Sequence, residues 1–215
     1  MLKCAIVPVT AYQQNCSVLV CEATGRAAVV DPGGDVDRIK AAIEQLGGTL
    51  DRIFLTHGHM DHCAAADDMR QEFGVPIIGP QKEDSFWIDK LPDWCQMSGF
   101  PHAEAFVPDQ WLEDGDTVTL GEQTFQVRHC PGHTPGHVIF FHEGMRLAMV
   151  GDVLFQGSIG RTDFPMGDYD TLIASIQQKL WPLGDDITFI PGHGPTSTFG
   201  QERKTNPFVA DTRFG

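Results

Sequence analysis

No apolar run in the chain approaches the roughly 18 residues that a membrane-crossing helix needs, so no spanning segment is expected. The opening residues, Met1-Leu2-Lys3-Cys4-Ala5-Ile6-Val7-Pro8, lack the long apolar core of a secretory signal and read as a first strand; a cytoplasmic location is expected. Basic residues are scarce. Fifteen Lys and Arg stand against 29 Asp and Glu, a formal net charge of −14. That balance argues against nucleic acid and anionic membrane as partners. An anionic substrate would need a local positive patch or a metal to draw it in. The six cysteines (Cys4, Cys16, Cys21, Cys63, Cys95, Cys130) form no Cys-x-x-Cys pair and no dense framework, so reduced, mostly buried thiols are expected. Internal repeats, linkers and low-complexity tracts are also missing. A single domain over residues 1–215, monomeric, is expected, with enough apolar residues for one sizeable core.

What is present is a regular succession of short apolar runs. Cys4 to Val9, Cys16 to Cys21 and Ala27 to Val30 read as strands, the third ended by the turn formers Asp31-Pro32-Gly33-Gly34. Asp35 is placed to cap a helix with Val36, Ile39, Ile43 and Leu46 on one face, closed by Gly47-Gly48. Ile53-Phe54-Leu55 reads as a buried strand, Ala64 to Phe73 as a helix and Val75 to Ile78 as a short strand. Residues 80–111 carry Pro92, Pro101 and Pro108 and three tryptophans, Trp87, Trp94 and Trp111, suited to covering the core or to walling a site. Strands are expected again at Thr117–Leu120, Thr124–His129, Val138–His142, Leu147–Val150 and Ile187–Ile190, with a helix from Asp170 to Leu180. This order implies two packed sheets with helices outside.

The densest chemistry lies in Thr56-His57-Gly58-His59-Met60-Asp61-His62, directly after a buried strand. An extended loop points residues i and i+2 the same way, so His57 and His59 can share one metal. A helix starting near Asp61 would turn Asp61 and His62 in another direction, toward a second metal. Three further loops repeat the arrangement of a polar ligand type just past an apolar strand and beside glycine: Cys130-Pro131-Gly132-His133, Gly151-Asp152 and Pro191-Gly192-His193-Gly194. Four such loops in one chain make a strong joint signal for a metal site. Imidazole and carboxylate donors suit zinc, iron or manganese.

This pattern resembles the metallo-β-lactamase superfamily, whose mark is His-x-His-x-Asp-His followed at a distance by His, Asp and His. The resemblance implies an αβ/βα sandwich, four layers with two mixed sheets flanked by helices. It implies that His57, His59 and His133 hold one metal, that Asp61, His62 and His193 hold a second, and that Asp152 bridges the two. Two divalent ions, zinc foremost, are therefore expected. His137 is close enough to bond a ligand or its loop; His102, His129 and His142 match no ligand position.

A metal pair points to hydrolysis, because a water between two metals has its pKa lowered toward neutrality, about 7 in mononuclear zinc sites. Asp61 can orient that nucleophile, and no serine or cysteine is required. Thioester, lactam, lactone and phosphodiester all suit such a centre. A thioester needs least help, since a thiol of pKa about 8.5 leaves without a strong general acid. The stretches Gly160-Arg161-Thr162-Asp163-Phe164, Pro191 to Thr196 and Gln201-Glu202-Arg203-Lys204-Thr205-Asn206-Pro207-Phe208 resemble the glyoxalase II family, in its short bacterial form. That implies cleavage of S-D-lactoylglutathione to D-lactate and glutathione, with Arg161, Arg203 and Lys204 receiving glutathione carboxylates. The chain departs from longer members in lacking their C-terminal helical domain and their tyrosine after the last histidine, where Gly194 and Pro195 stand. Two rivals are a persulfide dioxygenase holding a single iron by His57, His133 and Asp152, and a non-catalytic fold with a structural metal. Seven His and Asp candidates leave open positions, unlike a closed structural site.

Overall fold

The computed structural model describes residues 1–214. Five strands form the first sheet in the order of the chain: β1 (Leu2–Val9), β2 (Gln14–Cys21), β3 (Arg26–Val30), β4 (Thr49–Phe54) and β5 (Ile77–Ile78). β1, β2 and β3 run antiparallel, whereas β3–β4 and β4–β5 are parallel. The parallel pairs need crossovers. Helix α1 (Val36–Leu46) supplies one; α2 (Met60–Cys63) and α3 (Ala66–Phe73) supply the other. Helices α4 (Ser85–Asp89) and α5 (Leu91–Ser98) follow β5.

The second sheet contains β6 (Thr117–Leu120), β7 (Gln123–His129), β8 (Val138–His142) and β9 (Leu147–Gly151) as a meander. A short hairpin, β10 (Leu154–Phe155) and β11 (Ser158–Ile159), stands apart from both sheets. Helix α6 (Tyr169–Ser175) then crosses to β12 (Thr188–Pro191), which joins β9 in parallel, and β13 (Ser197–Thr198) forms the edge. Helices α7 (Phe199–Thr205) and α8 (Asp211–Phe214) end the described chain.

Strand alternation sorts the side chains into three cores. In β2, Val18 and Val20 face α1, while Leu19 and Cys21 face the other sheet. In β8, Ile139 and Phe141 face the helices of the second half, while Val138 and Phe140 face inward. Phe54 of β4 stacks on Phe140 at 5.0 Å and meets Phe125 edge-on at 6.1 Å, joining the sheets at their centre. Each such phenyl contributes about 1.5–3 kcal/mol by leaving water. The layers are thus helix, sheet, sheet, helix, as the four-layer sandwich requires.

Three local expectations are corrected. Asp35 does not cap α1 with its side chain; it sits in the left-handed region (φ 50°) and its carboxylate accepts from Thr10 N at 2.7 Å, tying the β1–β2 turn to the helix start. The helix expected over 64–73 is broken at Ala64–Ala65, and α2, one turn long, begins at Met60. The helix expected over 170–180 ends at Ser175 and continues as a wider π-type turn, Ile176–Leu180, with Ile176 and Leu180 buried as expected.

Candidate metal centre

All four donor-bearing loops leave strand ends at one edge of the sandwich, after β4, β7, β9 and β12. Each loop is held by partners elsewhere. Thr56 gives its N–H and hydroxyl to the two oxygens of buried Asp31, at 2.7 and 2.6 Å. The His193 loop is bound from β2, where Asn15 donates its backbone N–H to Gly192 O at 2.7 Å and its amide to Gly194 O at 2.8 Å. A Cβ on Gly192 would strike the Asp152 carboxylate and the His62 ring, so only glycine lets β12 pass this close.

Three of the donor imidazoles are oriented by one rule. His133 Nδ1 donates to Arg161 O at 2.7 Å, His62 Nδ1 to Asp31 Oδ2 at 2.8 Å and His193 Nδ1 to Tyr12 O at 3.2 Å. Carbonyl and carboxylate oxygens only accept, so each Nδ1 carries a proton and, in the neutral ring, each Nε2 presents its lone pair. His57 Nδ1 lies 3.0 Å from Thr56 Oγ1, which already donates to Asp31 and therefore accepts from the ring. His57 Nε2, His62 Nε2 and Asp152 Oδ1 are buried without a hydrogen-bond partner. Such orphaned acceptors are costly unless something electropositive sits among them.

The lone pairs converge in two trios: His57, His59 and His133, and Asp61, His62 and His193, with the donor atoms of each within 4.8 Å of one another. In the first trio, His133 Nε2 lies 3.0 Å from His59 Nδ1. In the second, His193 Nε2 lies 3.1 Å from Asp61 Oδ2, and His62 Nε2 lies 3.7 Å from the same oxygen. Asp152 stands between them, Oδ1 at 3.3 Å from His62 Nε2 and Oδ2 at 3.5 Å from His133 Nε2. The donor set fits two divalent cations sharing one carboxylate.

Burial holds the protonation of His57, His59 and His133 below the ordinary imidazole range, which suits neutral ligands. In the second trio burial opposes charge, but the carboxylates of Asp152 and Asp61 outweigh it and push His62 up; Asp152 itself is held ionised by the surrounding imidazoles against its own burial.

A cavity of about 620 Å³ opens onto both trios, with Tyr12, Phe155, Ser158 and Arg161 on its walls. Of the three basic residues expected at the substrate, Arg161 alone lines it. It forms a two-pronged pair with Asp163 at 2.8 and 2.9 Å and lies over the Phe164 ring. Arg203 is turned away, pairing with Asp185 at 2.8 Å and Asp211 at 2.9 Å, and Lys204 is exposed on α7 off the cavity wall. On α7, Arg203 is part-buried in its two ion pairs and Lys204 is exposed. The same stretch instead contributes Glu202, buried, which accepts from Gly157 N, Asn206 Nδ2 and Ser197 Oγ and so pins the β10–β11 hairpin that walls the cavity.

His137 takes the position expected of it. It is buried, stacks on His57 at 4.5 Å, and its Nε2 accepts from Asp152 N at 3.1 Å. His102 is exposed, and His129 and His142 bond Pro135 O and Gln123. Cys63 and Cys130 are buried but belong to neither trio. Two supporting carboxylates were not legible in advance. Asp31 has the turn sequence as its only signal. Asp84, fully buried, accepts from Gly58 N at 2.8 Å, Thr134 Oγ1 at 2.8 Å and Gly136 N at 2.5 Å, joining two ligand loops; burial raises its pKa to about 7.

The profile of the metallo-β-lactamase superfamily matches residues 9–193. The chain is 50% identical over 205 residues to the hydroxyacylglutathione hydrolase GloC of Haemophilus influenzae, covering 95% of this chain and 96% of that one. Among solved structures it is similar to the B3 metallo-β-lactamase BLEG-1 (TM-score 0.87, 36% identity, 97% and 99% of the two chains). It is similar also to TTHA1623, solved in a di-iron-bound form (TM-score 0.86, 31% identity, 95% and 100%).

Proposed function

The chain belongs to the metallo-β-lactamase superfamily, among the metallohydrolases of its glyoxalase II family, and we propose that its substrate is a glutathione thioester, S-D-lactoylglutathione first. The observation that carries this reading is the convergence of both trios on one open cavity with a single basic residue, Arg161, on its wall. His57, His59 and His133 would hold one divalent ion, Asp61, His62 and His193 the other, and Asp152 both. Zinc is the ion we expect, with iron or manganese accepted by the same donors. Ions held there would lower the pKa of a water and polarise a carbonyl.

The residues of the chain set the rest of the reaction. Asp61, on the cavity wall, accepts a hydrogen bond from the attacking water and orients it. The water oxygen bonds to the thioester carbon, the carbon–sulfur bond breaks, and the thiolate leaves with its electron pair. Of the two water protons one passes to solvent and the other to the departing thiolate, which becomes the thiol, and D-lactate is released as the carboxylate. No general acid is needed for a thiolate. Arg161, its Nε and Nη2 held by Asp163, offers its remaining Nη1 to a glutathione carboxylate, and Tyr12 and Ser158 offer hydroxyls along the wall.

A persulfide dioxygenase would need only His57, His133 and Asp152. Here Asp61, His62 and His193 also meet, the two imidazoles anchored on their far sides by Asp31 and by Tyr12 O, which favours the dinuclear hydrolase. A closed structural site is disfavoured by the open cavity. The test is turnover of S-D-lactoylglutathione by metal-loaded protein, with Asp152→Ala and a β-lactam as controls. Thioester cleavage lost in the variant, at least about 100-fold, supports the reading. Metal binding without thioester cleavage sinks it.

A further inference from the structure

The β10–β11 hairpin belongs to neither sheet, yet both its ends run into the donors. β10 begins two residues after Asp152, and just past β11 the Arg161 carbonyl accepts from His133 Nδ1 at 2.7 Å. Phe155, Ser158, Ile159 and Arg161 stand on the wall of the large cavity, and the Phe155 ring meets His193 edge-on at 6.3 Å. Leu154 and Ile159 fix the base of the hairpin in the core of the second half. The tip has no such anchor. It pairs only Phe155 with Ser158, and a short two-stranded hairpin is marginal by itself.

Two side chains of the α7 segment hold that tip. Glu202 Oε2 accepts from Gly157 N at 2.8 Å and from Asn206 Nδ2 at 2.9 Å, while Oε1 accepts from Ser197 Oγ at 2.6 Å. Asn206 Nδ2 also donates to Ser158 O at 3.0 Å and to Phe155 O at 3.4 Å, and its Oδ1 accepts from Phe208 N at 3.0 Å. The carbonyls of both wall residues and the N–H between them are thus gripped by a pair four residues apart, which a helical turn brings together. Both side chains are buried, and neither lines the cavity nor belongs to a donor trio.

Resting on the glutathione-thioester reading, we propose that Glu202 and Asn206 are positioning residues for the substrate: through the hairpin tip they set where Phe155 and Ser158 meet the thiol half of the thioester. A loosened tip carries these two wall residues away. Asp152 and His133 keep their places, since His137, the Arg161 carbonyl and the anchored hairpin base hold them independently. Losing the grip therefore weakens substrate binding and spares both the donors and the chemical step.

Asn206→Asp is isosteric but sets an acceptor against Glu202 Oε2 and Ser158 O, and Glu202→Ala empties the grip. Glu202→Gln can keep it, with the amide oxygen toward Gly157 N and Asn206 and the amide nitrogen toward Ser197, whose hydroxyl turns to accept. The experiment measures kcat and KM for S-D-lactoylglutathione on zinc-loaded protein, beside zinc stoichiometry and amide exchange over residues 153–161. The expected result in Asn206→Asp and Glu202→Ala is a KM about tenfold higher, kcat within about twofold, unchanged zinc and faster exchange at the tip. Glu202→Gln recovers most of the loss. Asn206→Ala, which removes only that side chain's bonds, replaces a variant that does not fold. An unchanged KM, a raised KM without faster exchange, or a fall in kcat together with zinc overturns the proposal. If wild type cleaves no thioester, the hydrolase reading fails and exchange alone decides the grip: faster over 153–161 at unchanged zinc, it stands; unchanged, it falls.

Discussion

The N-terminal and C-terminal halves deliver their donors in different ways. After β4, one continuous stretch carries His57, His59, Asp61 and His62, and local backbone geometry sets their directions. The second half sends His133, Asp152 and His193 from the ends of three strands, β7, β9 and β12, each on its own loop. Yet neither trio belongs to one half: His133 completes the first and His193 the second. These two trios are therefore complete only once the sheets have closed on each other, although Asp31, His57 and His62 also cluster within the first half. The supports divide likewise. Asp31 works inside the first half, fixing both Thr56 and His62, whereas Asp84 clasps Gly58 of the first half to Thr134 and Gly136 of the second.

The comparison can be broken most severely inside the first half. Asp31→Asn keeps the size and tolerates the left-handed backbone (φ 56°) but sets an amide where His62 Nδ1 and Thr56 donate. Metal affinity is expected to fall about 10–100-fold, read by competition with a chromogenic chelator. An unchanged affinity would show that the contiguous stretch needs no outside support.

The clasp between halves gives a smaller effect with a pH signature. Asp84 has a folded pKa of about 7, above the ~3.9 of an unfolded aspartate. The folded state thus binds this proton more tightly. The stability it contributes is complete below about pH 4 and is lost as pH rises through about 7. Asp84→Asn removes that dependence and leaves an amide facing a backbone donor, a loss of about 1–3 kcal/mol. In urea unfolding, the gap between wild type and variant should be wider at pH 5 than at pH 8. An equal gap, or a wider one at pH 8, contradicts the assignment.

The smallest effects sharpen the division between cavity wall and outer surface. Arg161→Ala should raise KM for the thioester about three- to fivefold, the scale of an exposed charge contact. Arg203→Ala, with its guanidinium already paired to Asp185 and Asp211, should leave KM within about twofold. Equal effects of the two would return Arg203 to the substrate.

The legible parts of this protein were those written in neighbouring residues. Alternation in Val18-Leu19-Val20-Cys21 marks a strand buried on both faces, and His57 and His59 two apart mark a shared ligand direction. The three outlying donors could be read by their type and their place after apolar strands. Residue type says nothing about which way a helix turns a side chain; α7 directs Arg203 to Asp185 and Asp211 and directs Glu202 inward to the hairpin. Asp84 was hidden within a proline-broken stretch with no periodicity, and its partners lie 26, 50 and 52 residues away.

By itself the sequence determined the longer strands of both sheets and helices α1, α3 and α6, the donor types and the net acidity, because propensity, periodicity and ligand chemistry act between neighbours on the chain. Tertiary structure alone decided which lone pairs meet, which carboxylates hold the loops, and that Glu202 grips the hairpin on the cavity wall. Those features join residues far apart in sequence, and their partners are chosen only when two sheets pack and bury groups that must then be satisfied.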